Sequence, residues 1–254
     1  MSEHNQMPMV MRHPKSVVDW NYAAPVNGCG IVTGTDANQE WLLPWWWTNY
    51  SAYNTLPVVF IDYGMSPKYR DWCSERGRVV RVDIGKVQAL QAKPLALLRS
   101  PFEKTLWMDA DCEVMASVQP ILDAVGTGVV GVFHDPFYGP VTATLNRRYV
   151  PVTAGLVVYG RDDPMISSWA AAVLQNPGIH ADQVALNALH PLDRFCILPR
   201  RFHWLRLDEA TTTVTEPPLV RHWTGPEGKT HIAAETVRMG LPGPRPKTGA
   251  EEKK

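Results

Sequence analysis

The stretch Thr105-Leu106-Trp107-Met108-Asp109-Ala110-Asp111-Cys112-Glu113-Val114 restricts what this chain can fold into more than any other. A short apolar run stops at two aspartates one residue apart. Read as a buried strand, it sends side chains two apart to the same side, so Asp109 and Asp111 leave its end together. Two carboxylates that close repel and raise one another's pKa unless positive charge sits between them. A divalent cation meets that demand, and α/β sheets hold their ligands at the carboxyl ends of central strands. The run is therefore a strand prediction and a site prediction at once.

The flanking segments supply a sheet for it. Cys29 to Thr33 reads as a first strand, followed by turn residues Gly34 to Asn38. A helix rich in aromatic residues follows, from Trp41 to Asn54, with Pro44 near its start. Its Trp and Tyr residues are read as packing against the sheet rather than stacking on a ligand. Pro57 to Asp62 is a second strand, continuous enough to be buried on both faces. A helix over 66–76 and a strand over 79–84 continue the alternation, and a helix from Lys93 to Pro101 leads into the fourth strand. Strand and helix alternating in this way predict a mainly parallel sheet built from right-handed crossovers.

Beyond Glu113 the pattern is less regular. Helices are expected at 118–125, 164–174 and 181–189. Strands are expected at 129–133, at 149–159 with a break at Ala154-Gly155, at 195–198, at 202–207 and at 220–223. Residues 1–27 read as a lead-in, 28–240 as one α/β domain, and 241–254, rich in Pro, Gly, Lys and Glu, as a disordered tail.

Composition excludes several classes. With 25 Lys+Arg against 25 Asp+Glu there is no basic field to argue for nucleic acid. No apolar run reaches the roughly 18 residues of a membrane span. Met1 to Asn21 lacks the apolar core of a signal peptide. The four cysteines, Cys29, Cys73, Cys112 and Cys196, form no Cys-x-x-Cys pair, which points to reduced thiols. The expectation is a cytoplasmic protein, free or peripheral to the inner face of a membrane.

Asp-x-Asp by itself serves several chemistries. Haloacid-dehalogenase-type phosphatases need Thr or Val where this chain has Glu113, and they place the motif on an early strand. Structural calcium asks for a longer loop with more oxygen ligands. Gly228-Lys229-Thr230 superficially looks like a phosphate loop, but the earlier glycine that loop requires falls on Trp223.

Ser100 to Asp111 resembles the Asp-x-Asp region of nucleotide-sugar glycosyltransferases of the GT-A fold. The similarity is greatest to the group that contains glycogenin and the bacterial lipopolysaccharide galactosyltransferases. Three more stretches follow that group's order. Val32 to Asn38 resembles its first strand and nucleotide-binding turn, Ala181 to Asn187 its Asp-Gln-x-x-x-Asn helix start, and Arg221 to Gly225 its late His-x-x-Gly segment. The resemblance spans about Gly28 to Lys229.

It implies Asp109, Asp111 and His222 as metal ligands. Imidazole in the set favours Mn2+ over Mg2+. It implies Thr33, Asp36 and Asn38 at the base and ribose of a nucleotide-sugar donor, most simply a UDP-sugar. Lys93, Asp135, Gly225 and Lys229 fall near the phosphates or the sugar, and His134 beside Asp135. Asp182 and Gln183 face the donor sugar as the catalytic pair. The acceptor, whether glycan, lipid-linked sugar or protein, is left open, and the implied transfer retains anomeric configuration. The chain departs from the pattern in two places. Lys229 sits one residue late with Thr230-His231 in place of Pro-Trp, and Thr153-Ala154-Gly155 replaces Asn-x-Gly. Two rival readings stand beside this one: a sugar-phosphate nucleotidyltransferase, and a non-catalytic sugar-nucleotide-binding protein of the same fold.

Overall fold

The computed structural model describes residues 26–85, 87–137, 150–176, 178, 181–189, 194–210 and 216–245. Most of the expected lead-in, the start of the expected strand at Tyr149, and the tail beyond residue 245 lie outside these residues.

The first half is a βα alternation: β1 (Val26–Thr35), α1 (Leu42–Ser51), β2 (Val58–Asp62), α2 (Pro67–Ser74), β3 (Arg78–Arg81), α3 (Lys93–Leu97) and β4 (Phe102–Met108). Then come β5 (Cys112–Val114), α4 (Gln119–Asp123), β6 (Val130–His134), β7 (Val152–Gly160), α5 (Pro164–Gln175), α6 (Asp182–Ala188) and β8 (Phe195–Ile197). The last elements are β9 (Trp204–Leu205), β10 (Val220–His222) and α7 (Gly225–Arg238).

Seven strands form the main sheet in the order β3-β2-β1-β4-β7-β6-β8, which puts β4 at its centre. Only β7 runs against its neighbours, pairing antiparallel with both β4 and β6. This mainly parallel sheet flanked by helices is the GT-A architecture expected from the sequence. Alternation along each strand divides the core in two. Ile31, Phe60, Leu106, Met108, Leu156 and Val158 face one side, packed with Trp45, Trp46 and Tyr50 of α1 and Ile232 of α7. Val32, Val59, Ile61, Trp107, Val157 and Tyr159 face the other, packed with residues of α3, α5 and α6. Burial on both faces is why these strands read as unbroken apolar runs. Most of the aromatic cluster is core, as expected, with Tyr53 exposed: Trp46 stacks on Tyr50 at 4.9 Å and meets Phe60 edge-on at 6.2 Å.

Three expectations need correction. The segment before Tyr159 is not broken at Ala154-Gly155; it is one buried strand. Burial on both faces keeps the strand continuous there, while its register with β6 shifts between Thr153 and Val158, the stretch that holds the glycine. Residues 202–207 are not one strand, because short 3-10 turns bracket the two residues of β9. Finally, α7 is a 14-residue helix for which no element was expected. At its start Gly225 takes φ +76° and Pro226 occupies the first turn, where a missing N–H costs little.

A second, small sheet, β5-β10-β9, lies beside the main one. Residues 241–245 continue as coil, with Leu241 against the core and Arg245 paired to Glu40. Among the described residues, no helix is long and apolar enough to cross a membrane.

Candidate active site

The two aspartates converge because of a turn rather than strand alternation. β4 ends at Met108, and Cys112 N–H donates to the Asp109 carbonyl at 3.1 Å to close the turn. The Asp109 N–H donates to the Gly155 carbonyl at 2.9 Å, which anchors the turn on β7. β5 then leaves the main sheet and pairs antiparallel with β10, setting His222 opposite Cys112. That register delivers the third expected metal ligand. His222 Nε2 lies 3.0 Å from Asp111 Oδ1 and 3.9 Å from Asp109 Oδ2. One donor atom from each of Asp109, Asp111 and His222 lies within 4.8 Å of the other two.

Two lysines reach the same carboxylates. Lys93, buried at the start of α3, is 2.9 Å from Asp109 Oδ1 and 2.9 Å from Asp182 Oδ2, and it donates to the Ala154 carbonyl at 2.8 Å. Burial alone would lower its pKa, but Asp109 and Asp182 raise it above the ordinary lysine value, so the ammonium stays charged. Asp182 is itself pushed upward by burial, against the pull of Lys93. Lys229 donates to Asp111 Oδ2 at 2.7 Å. Burial opposes ionisation of Asp111, yet His222 and Lys229 outweigh it and hold the carboxyl well below the usual carboxylate range.

These groups open into a cleft of about 700 Å³, of the size that takes a small ligand. Asp36, Asn38, Lys93, Asp109, Asp111, Asp135, Asp182, Gln183 and His222 all line it. Asp36 also organises the turn after β1: its Oδ1 accepts from the Asn38 and Gln39 amides at 2.9 and 3.1 Å. Gln183 Nε2 donates to Asp135 Oδ2 at 2.9 Å, and its Oε1 accepts from the Ala154 amide at 3.1 Å. Both ends of that side chain are thereby fixed at the cleft wall.

Not every expected residue arrives there. Thr33 is fully buried inside β1, and Gly34 and Thr35 line the cleft in its place. Gly225 shapes the entry to α7 while its neighbour Thr224 is the cleft residue. His134 is exposed at the end of β6 and does not line the cleft. Lys229, one residue late in the motif, still reaches Asp111, because α7 begins at Gly225 and carries Lys229 inward. His231 stacks on Trp223 at 3.6 Å.

Three residues to which the sequence assigned no role also contribute. Trp107 Nε1 donates to Asp109 Oδ1 at 2.6 Å and lines the cleft. Gly155 leaves room for His222: a Cβ there would stand 2.3 Å from His222 Cε1. His203 is buried with Nε2 3.1 Å from His222 Nδ1, and burial, reinforced by His222, holds its pKa well below the ordinary histidine value. The glycine was visible as the last residue of Thr153-Ala154-Gly155; nothing in the sequence marked His203.

No family model matches this chain, and no curated protein does. Solved structures do share its fold. The galactosyltransferase LgtC, in complex with donor and acceptor sugar analogues, is 18% identical, with 87% of this chain and 98% of that chain covered and a TM-score of 0.64. An active-site glutamine-to-glutamate mutant of LgtC is 17% identical over 79% of this chain and 88% of that one, with a TM-score of 0.62. The glycosyltransferase GlyE of Streptococcus pneumoniae TIGR4 is 12% identical over 87% and 67%, with a TM-score of 0.61. At these identities the likeness is one of fold.

Proposed function

We propose that this protein is a metal-dependent glycosyltransferase that moves a sugar from a nucleotide donor, with UDP as the nucleotide, to an acceptor hydroxyl. The observation that carries the reading is the convergence of Asp109, Asp111 and His222 at the carboxyl end of the central strand, in a cleft shared with Asp182 and Gln183. The donor set suits a divalent cation. It offers two carboxylates and one imidazole, with Asp111 kept ionised by its surroundings. A cation bound there would neutralise charge on the departing nucleoside diphosphate.

The remaining roles belong to the chain. Asp36 and Asn38 stand where the nucleoside would enter, on the turn after β1. Lys229, extending from the start of α7, is available to exchange Asp111 for a phosphate oxygen. Lys93 holds Asp109 and Asp182 in place as a fixed buried cation. Gln183, clamped between Asp135 and the β7 backbone, presents a rigid polar wall to the donor sugar. The fold neighbour LgtC, described with donor and acceptor sugar analogues and with an active-site glutamine mutant, supports this placement. Retention of configuration follows from the family resemblance alone.

Calorimetry of UDP binding with and without Mn2+ tests the reading. Binding is expected only with Mn2+, and Asp111→Asn is expected to abolish it. Equal affinity in both conditions overturns the metal role. Hydrolysis assays with UDP-glucose, UDP-galactose, UDP-N-acetylglucosamine and GDP-mannose then identify the donor, and pyrophosphate release from a nucleoside triphosphate plus a sugar phosphate would instead mark a nucleotidyltransferase.

A further inference from the structure

His222 stands between two donor sets of opposite character. Its Nε2 faces the hard carboxylates, with Asp111 Oδ1 3.0 Å away. Its Nδ1 faces His203 Nε2 at 3.1 Å. Cys112, the register partner of His222 across β5 and β10, completes a second cluster. One donor atom from each of Cys112, His203 and His222 lies within 4.8 Å of the other two, and the three residues are 0, 2 and 5% exposed.

We propose that Cys112, His203 and His222 form a second metal site, selective for zinc, whose occupation withdraws His222 from the Asp109–Asp111 site. The zinc site stands on its own geometry; the withdrawal rests on the metal role proposed above for Asp109, Asp111 and His222.

Three arguments carry it. The donor set is thiol plus two imidazoles with no carboxylate, which selects zinc over manganese or magnesium. Two nitrogens on one tetrahedral zinc, each about 2.05 Å from it, stand roughly 3.3 Å apart. The 3.1 Å between His203 Nε2 and His222 Nδ1 therefore opens by only a few tenths of an ångström. A zinc-bound histidine also hands its other N–H to a carboxylate, and Asp111 is already placed to accept it, steadied in turn by Lys229 at 2.7 Å.

Exclusion follows from the ring's chemistry. With zinc on Nδ1, the one remaining ring proton sits on Nε2 and is donated to Asp111. Nε2 then has no lone pair to give a second ion. The Cys112 thiol proton leaves to solvent as the ion binds. Zinc enters from the cleft, which His222 and Gly155 line.

Cobalt serves as the spectroscopic probe. One Co2+ per chain is expected to give a thiolate-to-cobalt charge-transfer band that zinc displaces and that Cys112→Ser loses. His203→Gln is a second variant and should lose the tetrahedral cobalt spectrum while keeping a native circular dichroism spectrum. Mn2+ binding, followed by electron paramagnetic resonance after zinc loading and removal of loosely held zinc, should be about 10-fold or more weaker in the parent than in its zinc-free form, and within about 2-fold in Cys112→Ser. A missing band, or one that survives in Cys112→Ser, overturns the zinc site. A band without loss of Mn2+ affinity overturns the withdrawal. A chain that shows the band yet never binds Mn2+ retains the zinc site and contradicts the proposed function instead.

Discussion

His222 Nε2 lies 3.0 Å from Asp111 Oδ1, although the two residues are 111 positions apart. The contact exists because β5 leaves the main sheet directly after the Asp109–Asp111 turn and takes β10 as its partner. The backbone fixes it twice more: His222 is in register with Cys112, and the Trp223 N–H donates to the Asp111 carbonyl at 3.0 Å. The candidate metal site is thus built from a strand end and a strand pairing.

Gly155→Ala is expected to displace that imidazole. A Cβ would meet His222 Cε1 at 2.3 Å and Nδ1 at 2.4 Å, so the ring or β7 must shift. Overpacking of this kind costs about 1–3 kcal/mol. Thermal melts should show the destabilisation, and Mn2+ titration should show weaker binding in the same variant.

Lys93→Met tests the buried cation. Its removal leaves Asp109 and Asp182 facing one another without compensation, and breaking a buried ion pair costs about 3–5 kcal/mol. Adding Asp182→Asn removes one of the stranded carboxylates and should recover part of the loss. Urea unfolding of both variants measures the difference. Equal stability of the single and double variants would remove Asp182 from the account.

Lys229→Ala should separate anchoring from stability. The Lys229 side chain is partly exposed, so its pair with Asp111 adds little to folding. A phosphate contact predicts UDP affinity reduced about 10-fold with little change in melting temperature. Unchanged nucleotide affinity would make Lys229 only a partner of Asp111.

Acid should destabilise the fold in two stages. His203 has a folded pKa below its unfolded value of roughly 6.5, so the native state binds fewer protons as pH falls. Its contribution is complete above about pH 6.5 and is lost below it, by up to about 1.4 kcal/mol per pH unit. Asp111 is also depressed, and its contribution is lost only as pH falls through the carboxylate range. Urea unfolding between about pH 2 and pH 8 should show a first decline that His203→Gln flattens and a second, below about pH 4, that it leaves in place.

The local half of the site was legible in the sequence. A run such as Thr105 to Met108 fits a buried strand in a strand-helix alternation, and two adjoining carboxylates announce a demand for positive charge wherever they fold. Asp36 with Asn38, and Asp182 with Gln183, were picked out by the resemblance, and the structure sets all four along the cleft. No element was read at α7, which opens on Gly225-Pro226 and is held by burial of Ile232 against the core.

What sequence alone determined, then, is the alternation of strands and helices, the central strand and the charge problem at its end. Tertiary structure decided how that problem is answered. Which cations approach Asp109 and Asp111, that His203 lies behind His222, and that Gly155 must lack a side chain all depend on contacts between residues tens of positions apart or more. Such contacts are selected by packing and pairing of the whole sheet, and no local pattern of residues encodes them.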